Sequence, residues 1–313
     1  MAKKRVQNRI AESRWALPVT TVYAILVCLI CKPTVGLMWM QVASLTVSTY
    51  LIIQLNNANS LIRIYSRMVS CSFLVLTVME VFLSPSIKGA IVQLCFIAFY
   101  LTLFNAYQDK RASGWVFYAF FSLGLASTLF IQILYFVPIL WVLIVFNVLA
   151  MSGRTFWASL LGLIVPYWFL CGYFVYIGDF DTITNYFLQL TDFSNLLNVK
   201  MLSQYQIVTF IFVTILSLTG MVHFLRNSYK DKIRVRMLFE IFMTIDITSL
   251  LLIILMPQFY DILIRIAIIN AAVVIGHFLS LTHTKITNIA FFVILIASLV
   301  ITAYNVWQPS LTF

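Results

Sequence analysis

Asp246 and Arg265 are the residues whose types and spacing come nearest to a piece of chemistry. They fall in consecutive apolar runs, 237–256 and 262–281, which turn about Pro257, with Asp246 eleven residues before the turn and Arg265 eight after it. At about 1.5 Å per helical residue their depths differ by about 4 to 5 Å, within reach of an Arg side chain. An acid and a guanidinium meeting there would line a substrate path or hold a lipid phosphate. In the alternative, Arg265 bonds Asp261 one turn earlier and reaches toward the surface, while Thr or Asn groups satisfy Asp246. Glu80 and His277 also lie in apolar runs. No partner for either is recognisable in the sequence, and each is a candidate for a proton relay or for a structural hydrogen bond. Every such group costs about 2.5 to 3.5 kcal/mol at the centre of a membrane helix, so each needs a partner, a cavity or a route to the surface.

Arg63 and Arg67 are spaced i, i+4 in Leu-Ile-Arg-Ile-Tyr-Ser-Arg, residues 61–67. On a helix both guanidinium groups would share a face and could grip a lipid phosphate; otherwise they are anchors in the headgroup layer. The basic stretch 226–236 is expected to touch anionic phospholipid headgroups. Glu240, one turn from Arg236, reads as an interfacial ion pair. Asp179 and Asp181 form an Asp-x-Asp triplet. Such a pair could hold a divalent ion in a sugar-transferring enzyme, or simply solvate a loop. The cysteines, including Cys28-x-x-Cys31, sit in or at the end of apolar runs and read as packing, with neither metal nor cofactor expected. No P-loop, zinc-protease helix or nucleophile elbow is present.

Membrane helices must position these residues. The 313 residues are 62% hydrophobic and only 10% charged, against about 25% charged in an ordinary soluble domain. Apolar runs of membrane-spanning length follow one another with little interruption, and their continuity selects helices over barrel strands. The fold class is therefore all-α and polytopic. About eleven spans are expected, near 15–31, 36–55, 68–83, 90–106, 114–130, 136–151, 156–177, 207–225, 237–256, 262–281 and 286–304. The stretch 114–151 is split near Gln132, ahead of Pro138. Between the seventh and eighth spans, residues 178–206 repeat Ile183, Tyr186, Phe187, Leu190, Phe193, Leu197 and Met201 at three- and four-residue steps, which predicts an amphipathic segment on the outer surface.

A net charge of +10 would suggest a nucleic-acid partner in a soluble chain. Here sixteen of the twenty Lys and Arg fall on one side of the eleven-span arrangement and three, Lys32, Lys88 and Lys200, on the other. That asymmetry places the N-terminus on the cytoplasmic side of the membrane and leaves no nucleic-acid partner to expect. Residues 1–14 carry the charges of a signal peptide without its cleavage site, so 15–31 reads as a retained first span. A single membrane domain is the simplest partition.

Residues 56–68, with Tyr107-Gln108, Gly124-Leu-Ala-Ser127, Pro138, Gly153-Arg154 and Gly162-Leu-Ile-Val-Pro-Tyr167, resemble an uncharacterised family of multipass inner-membrane proteins of Bacteroidota. The resemblance covers about half the chain and implies lineage and membrane location, with a component of cell-envelope biogenesis as the expected role. The Gly-Leu-Ala-Ser helix followed by a Pro-bearing helix is also similar, more distantly, to membrane glycosyltransferases that use polyprenyl-phosphate sugar donors. That likeness implies a polyprenyl-linked lipid as partner. Those enzymes carry an acid in the first outer loop, which here is only Lys32-Pro33-Thr34-Val35, so Asp179 or Asp181 would have to replace it. A transporter of a small solute or lipid, using Glu80, Asp246, Arg265 or His277, is the third possibility.

Overall fold

The computed structural model describes residues 5–30, 35–81, 86–178, 180–191 and 196–307. Among them every regular element is helical. In chain order these are α1 (Val6–Ala11), α2 (Ala16–Ile30), α3 (Val35–Asn59), α4 (Met68–Val81), α5 (Ile87–Leu103), α6 (Ser113–Leu129), α7 (Val137–Leu143), α8 (Gly153–Ile177), α9 (Phe180–Leu188), α10 (Gln204–Asn227), α11 (Ile233–Leu255), α12 (Tyr260–Leu281) and α13 (Lys285–Trp307). Seven helical segments among the described residues are long and apolar enough to cross a membrane. Three further apolar helices, α2, α4 and α6, are shorter, at 15, 14 and 17 residues. A helix of about 20 residues is needed to span the hydrocarbon core upright. The protein is thus a helical, multipass membrane protein with at least seven candidate spans.

The chain forms two compact units, Met1–Ile87 with Asn198–Phe313, and Lys88–Leu197. In the first, α12 is the centre, packed by α4, α10 and α11. It is buried from Leu263 to His277 without interruption, and apart from Arg265, Asn270 and His277 that stretch has no polar side chain, as expected of a helix surrounded by other helices. Small residues permit this. A Cβ on Gly276 would stand 2.8 Å from the Val69 Cα of α4, and one on Gly220 of α10 would stand 2.8 Å from a Val274 methyl, so the helices touch backbone to side chain. Helix α1 docks on the turn between α12 and α13: Gln7 Nε2 donates to Leu279 O at 2.8 Å and to Thr282 Oγ1 at 2.7 Å. Helix α1 is therefore tied to the bundle.

The second unit is built on the α6–α8 pair. A Cβ on Gly162 would meet Phe117 O at 2.5 Å, so Gly124-Leu-Ala-Ser127 and Gly162 mark a close crossing of two helices. The long apolar stretch 114–151 breaks at Phe130, whose φ of −146° and ψ of 94° are extended. A 3-10 turn at Ile131–Phe136 leads from there into α7, which ends in a π-helical turn at Ile144–Val148. The amphipathic segment is shorter than its periodicity suggests, with α9 only nine residues long and turns at 189–191 and 196–197. Hydrogen bonds hold it instead: the Tyr186 hydroxyl donates to Ser127 O, and the Tyr135 hydroxyl to Leu190 O at 2.6 Å.

Outward faces of α8 and α13 carry Leu161, Ile164, Trp168, Phe169, Val293 and Ile296, all exposed. Contiguous apolar surface of this kind needs lipid as its solvent.

Candidate functional site

Three groups of buried polar side chains in the first unit lie around α12 at three depths. At its N-terminal end stand Tyr260, Asp261 and Arg265, joined by Glu80 of α4 and Gln206 of α10. Arg265 is 2% exposed, and its Nε donates to the Asp261 carbonyl at 3.1 Å. Gln206 Nε2 donates to Asp261 Oδ1 at 3.2 Å, while the Tyr260 hydroxyl donates to Gln206 O at 3.1 Å. Glu80 is equally buried, and neither of its carboxylate oxygens meets hydrogen-bond geometry with a described residue. It is close enough to Arg265 and Asp261 for all three charges to interact. Two carboxylates around one guanidinium leave this cluster with a formal charge of −1.

Asp246 occupies the middle depth. It is the fourteenth of the 23 residues of α11 and fully buried. Ser217 of α10 faces it, but the two approach without meeting hydrogen-bond geometry, and both carboxylate oxygens and the Ser217 hydroxyl are unpartnered among the described residues. Asn270 of α12, buried at a similar distance along the bundle, is satisfied within its own helix by donating to Ile266 O at 2.8 Å.

Toward the C-terminal end of α12, His277 Nε2 lies 3.1 Å from Asp231 Oδ2, the two side chains 1% and 4% exposed. The carboxylate can only accept, so with Asp231 ionised the bonded Nε2 carries the hydrogen. Phe224 and Phe239 pack edge-on to the imidazole at 5.2 and 5.0 Å, with the His223 ring at 5.7 Å. Arg63 completes the cluster: its guanidinium is 3.8 Å from Asp231 Oδ1 and donates to Lys230 O at 3.4 Å. Arg234 donates to Asn59 Oδ1 at 3.0 Å beside it, so the turn after α3 and the turn before α11 are pinned together.

These positions decide between the two expected pairings: Arg265 bonds Asp261 one turn earlier, as in the alternative, but stays buried and does not reach the surface. Arg265 shares its charge with Glu80 and Asp261, whereas Asp246 makes no ion pair among the described residues; their similar depth in adjacent helices does not bring them together, since Asp246 faces Ser217 of α10. Residues 62–65 form bends, and none of 61–67 is helical. Arg63 and Arg67 therefore share no helical face: Arg63 turns to Asp231, and Arg67 lies over the Tyr65 ring at 5.5 Å. Asp181 is exposed on α9, and Asp179 lies outside the described residues. No group of three or more His, Cys, Asp or Glu able to hold a metal occurs among the described residues. Cys28 packs in an apolar cluster with Val27, Leu74 and Val78, while Cys31 lies outside the described residues.

Asp231, Gln206 and Tyr260 carry functional geometry that sequence reasoning passes over. Asp231 had a signal, as the lone acid among the five cations of 226–236. Gln206 and Tyr260 had none, since their roles depend on helix neighbours far apart in the chain. Comparison of the chain with protein-family models, with curated proteins and with solved structures found no match.

Proposed function

We propose that the protein is a proton-coupled transporter of a small solute or lipid in the bacterial inner membrane, with Asp246 as the group that takes up and releases the proton. The observation that carries this reading is the burial of Asp246 with no hydrogen-bond or ion-pair partner among the described residues. A carboxyl group in mid-helix, without ion pair or hydrogen bond, is expensive to keep in a membrane and is the usual mark of a proton or substrate path. The Glu80–Arg265 cluster on one side of it and His277–Asp231 on the other supply proton-exchanging groups toward both ends of the same bundle. A proton held by Glu80 would bring the formal charge of its cluster from −1 to zero.

Two competing roles, a non-catalytic component of envelope biogenesis and a polyprenyl-linked sugar transferase, give no reason for an unpartnered acid at this depth. The finer topology belongs to the same proposal: eleven crossings with a cytoplasmic N-terminus, supported by the sixteen Lys and Arg that such an arrangement collects on one side. The test is infrared difference spectroscopy of the reconstituted protein between acid and alkaline pH. The wild type is expected to show a protonated-carboxyl band that disappears in Asp246→Asn; an identical difference spectrum in that variant removes Asp246 from the mechanism.

A further inference from the structure

Within the first unit, a slot of about 370 Å³ lies among α2, α4, α10, α12 and α13. Ile10, Ser13 and Trp15 line it near the N-terminal ends of α2 and α4, and Leu76, Phe212 and Ser298 line it nearer the middle of the bundle. Along α4 it follows the helix from Met68 to Leu76, a length of about 12 Å at about 1.5 Å per residue. The walls are mostly aliphatic and aromatic. A whole helix, with a diameter of about 10 to 12 Å including side chains, is too wide for this volume; a single alkyl chain is not.

Among the polar groups in and beside this lining, two lack hydrogen-bond partners among the described residues. One guanidinium nitrogen of Arg67 is buried with no hydrogen-bond acceptor among the described residues. Arg67 immediately precedes the lining residue Met68 and lies near the thiol of Cys71, another lining residue. Ser72, 8% exposed and lining the slot, likewise has an unpartnered hydroxyl, whereas serines in apolar helices ordinarily bond a carbonyl one turn back. It lies five residues beyond Arg67, about 7 to 8 Å deeper along the axis. Arg9 and Arg14, both exposed, flank the lining residues Ile10 and Ser13. Arginines beside one end of the slot, a hydroxyl further along α4 and an apolar tube beyond it match, in order, the phosphate, ester carbonyl and acyl chain of a phospholipid.

We infer that this slot binds one acyl chain of an anionic phospholipid whose phosphate accepts hydrogen bonds from Arg67, with the Ser72 hydroxyl donating to an ester carbonyl. The site is independent of the proton step, because it shares no residue with Glu80, Asp246, Arg265 or His277. Arg63 takes no part in it.

Native mass spectrometry of the full-length protein, titrated with dioleoyl phosphatidylglycerol or dioleoyl phosphatidylcholine, tests the assignment. The first phosphatidylglycerol is expected to bind more tightly than the first phosphatidylcholine. Arg67→Gln should weaken phosphatidylglycerol about tenfold, the worth of a charged hydrogen bond, and leave phosphatidylcholine unchanged. Val75→Phe, which fills the slot, should weaken both; Leu295→Trp on the opposite wall serves the same purpose if Val75→Phe does not fold, as judged by its thermal unfolding. Unchanged phosphatidylglycerol affinity in Arg67→Gln, or full binding of both lipids to a folded slot-filling variant, overturns the site.

Discussion

Asp246 and His277 are both buried polar residues of one helix bundle, and they differ in what surrounds them. His277 has an acceptor in Asp231 at 3.1 Å, and the aromatic rings of Phe224 and Phe239 fix its plane. Asp246 has Ser217 nearby and no bond to it. A buried group that has its partner stabilises the fold, and one that lacks a partner destabilises it by about 1 to 3 kcal/mol. The two substitutions should therefore move stability in opposite directions. Asp246→Leu is expected to raise stability by about 1 to 3 kcal/mol, and His277→Leu, which removes the imidazole bonded to Asp231 Oδ2, to lower it by a similar amount. Thermal unfolding in detergent measures both. A destabilised Asp246→Leu would show that the acid is structural. Which polar residues sit inside the membrane was legible from the sequence, because Glu80, Asp246, Arg265 and His277 interrupt apolar runs. Their partners were not, because Glu80 and Arg265 are separated by 185 positions and meet only through packing.

Helix α12 owes its central place to glycine. Gly276 lets the Val69 backbone of α4 approach to where a Cβ would lie 2.8 Å from Val69 Cα. A methyl there has no flexible side-chain end to push aside, so Gly276→Ala must move a helix, at a cost of about 1 to 3 kcal/mol. The same change at Gly114, whose added Cβ meets nothing within 4 Å, should be close to neutral, and comparing the two unfolding temperatures checks the packing argument. At this scale the sequence was informative about existence and poor about ends. The break within 114–151 was expected near Gln132 and occurs at Phe130. The outer segment, with its seven apolar residues in helical register, shortens to the nine residues of α9. Its periodicity was real, but Tyr186 and Tyr135 satisfy their hydroxyls on backbone carbonyls of Ser127 and Leu190, and such bonds leave no mark in a hydrophobic pattern. Residues 61–67 show the converse, since the spacing of Arg63 and Arg67 imitates a helix that the chain does not form.

For the whole molecule, the membrane assignment follows from the length and continuity of apolar runs and was visible before any coordinates. The division into two compact units was not, because the first is assembled from both ends of the chain, Met1–Ile87 and Asn198–Phe313. That assembly is what gathers Glu80, Asp246, Arg265 and His277 around one buried helix, and it turns four isolated polar residues into groups at three depths of a single bundle. A bundle that passes protons must displace charge within the membrane when the pH on one side changes. The most direct test is a pH jump applied to the reconstituted protein on a solid-supported membrane. The account predicts a transient current in the wild type that is lost in Asp246→Asn and retained in Asp181→Asn; a current of undiminished size in Asp246→Asn would contradict it.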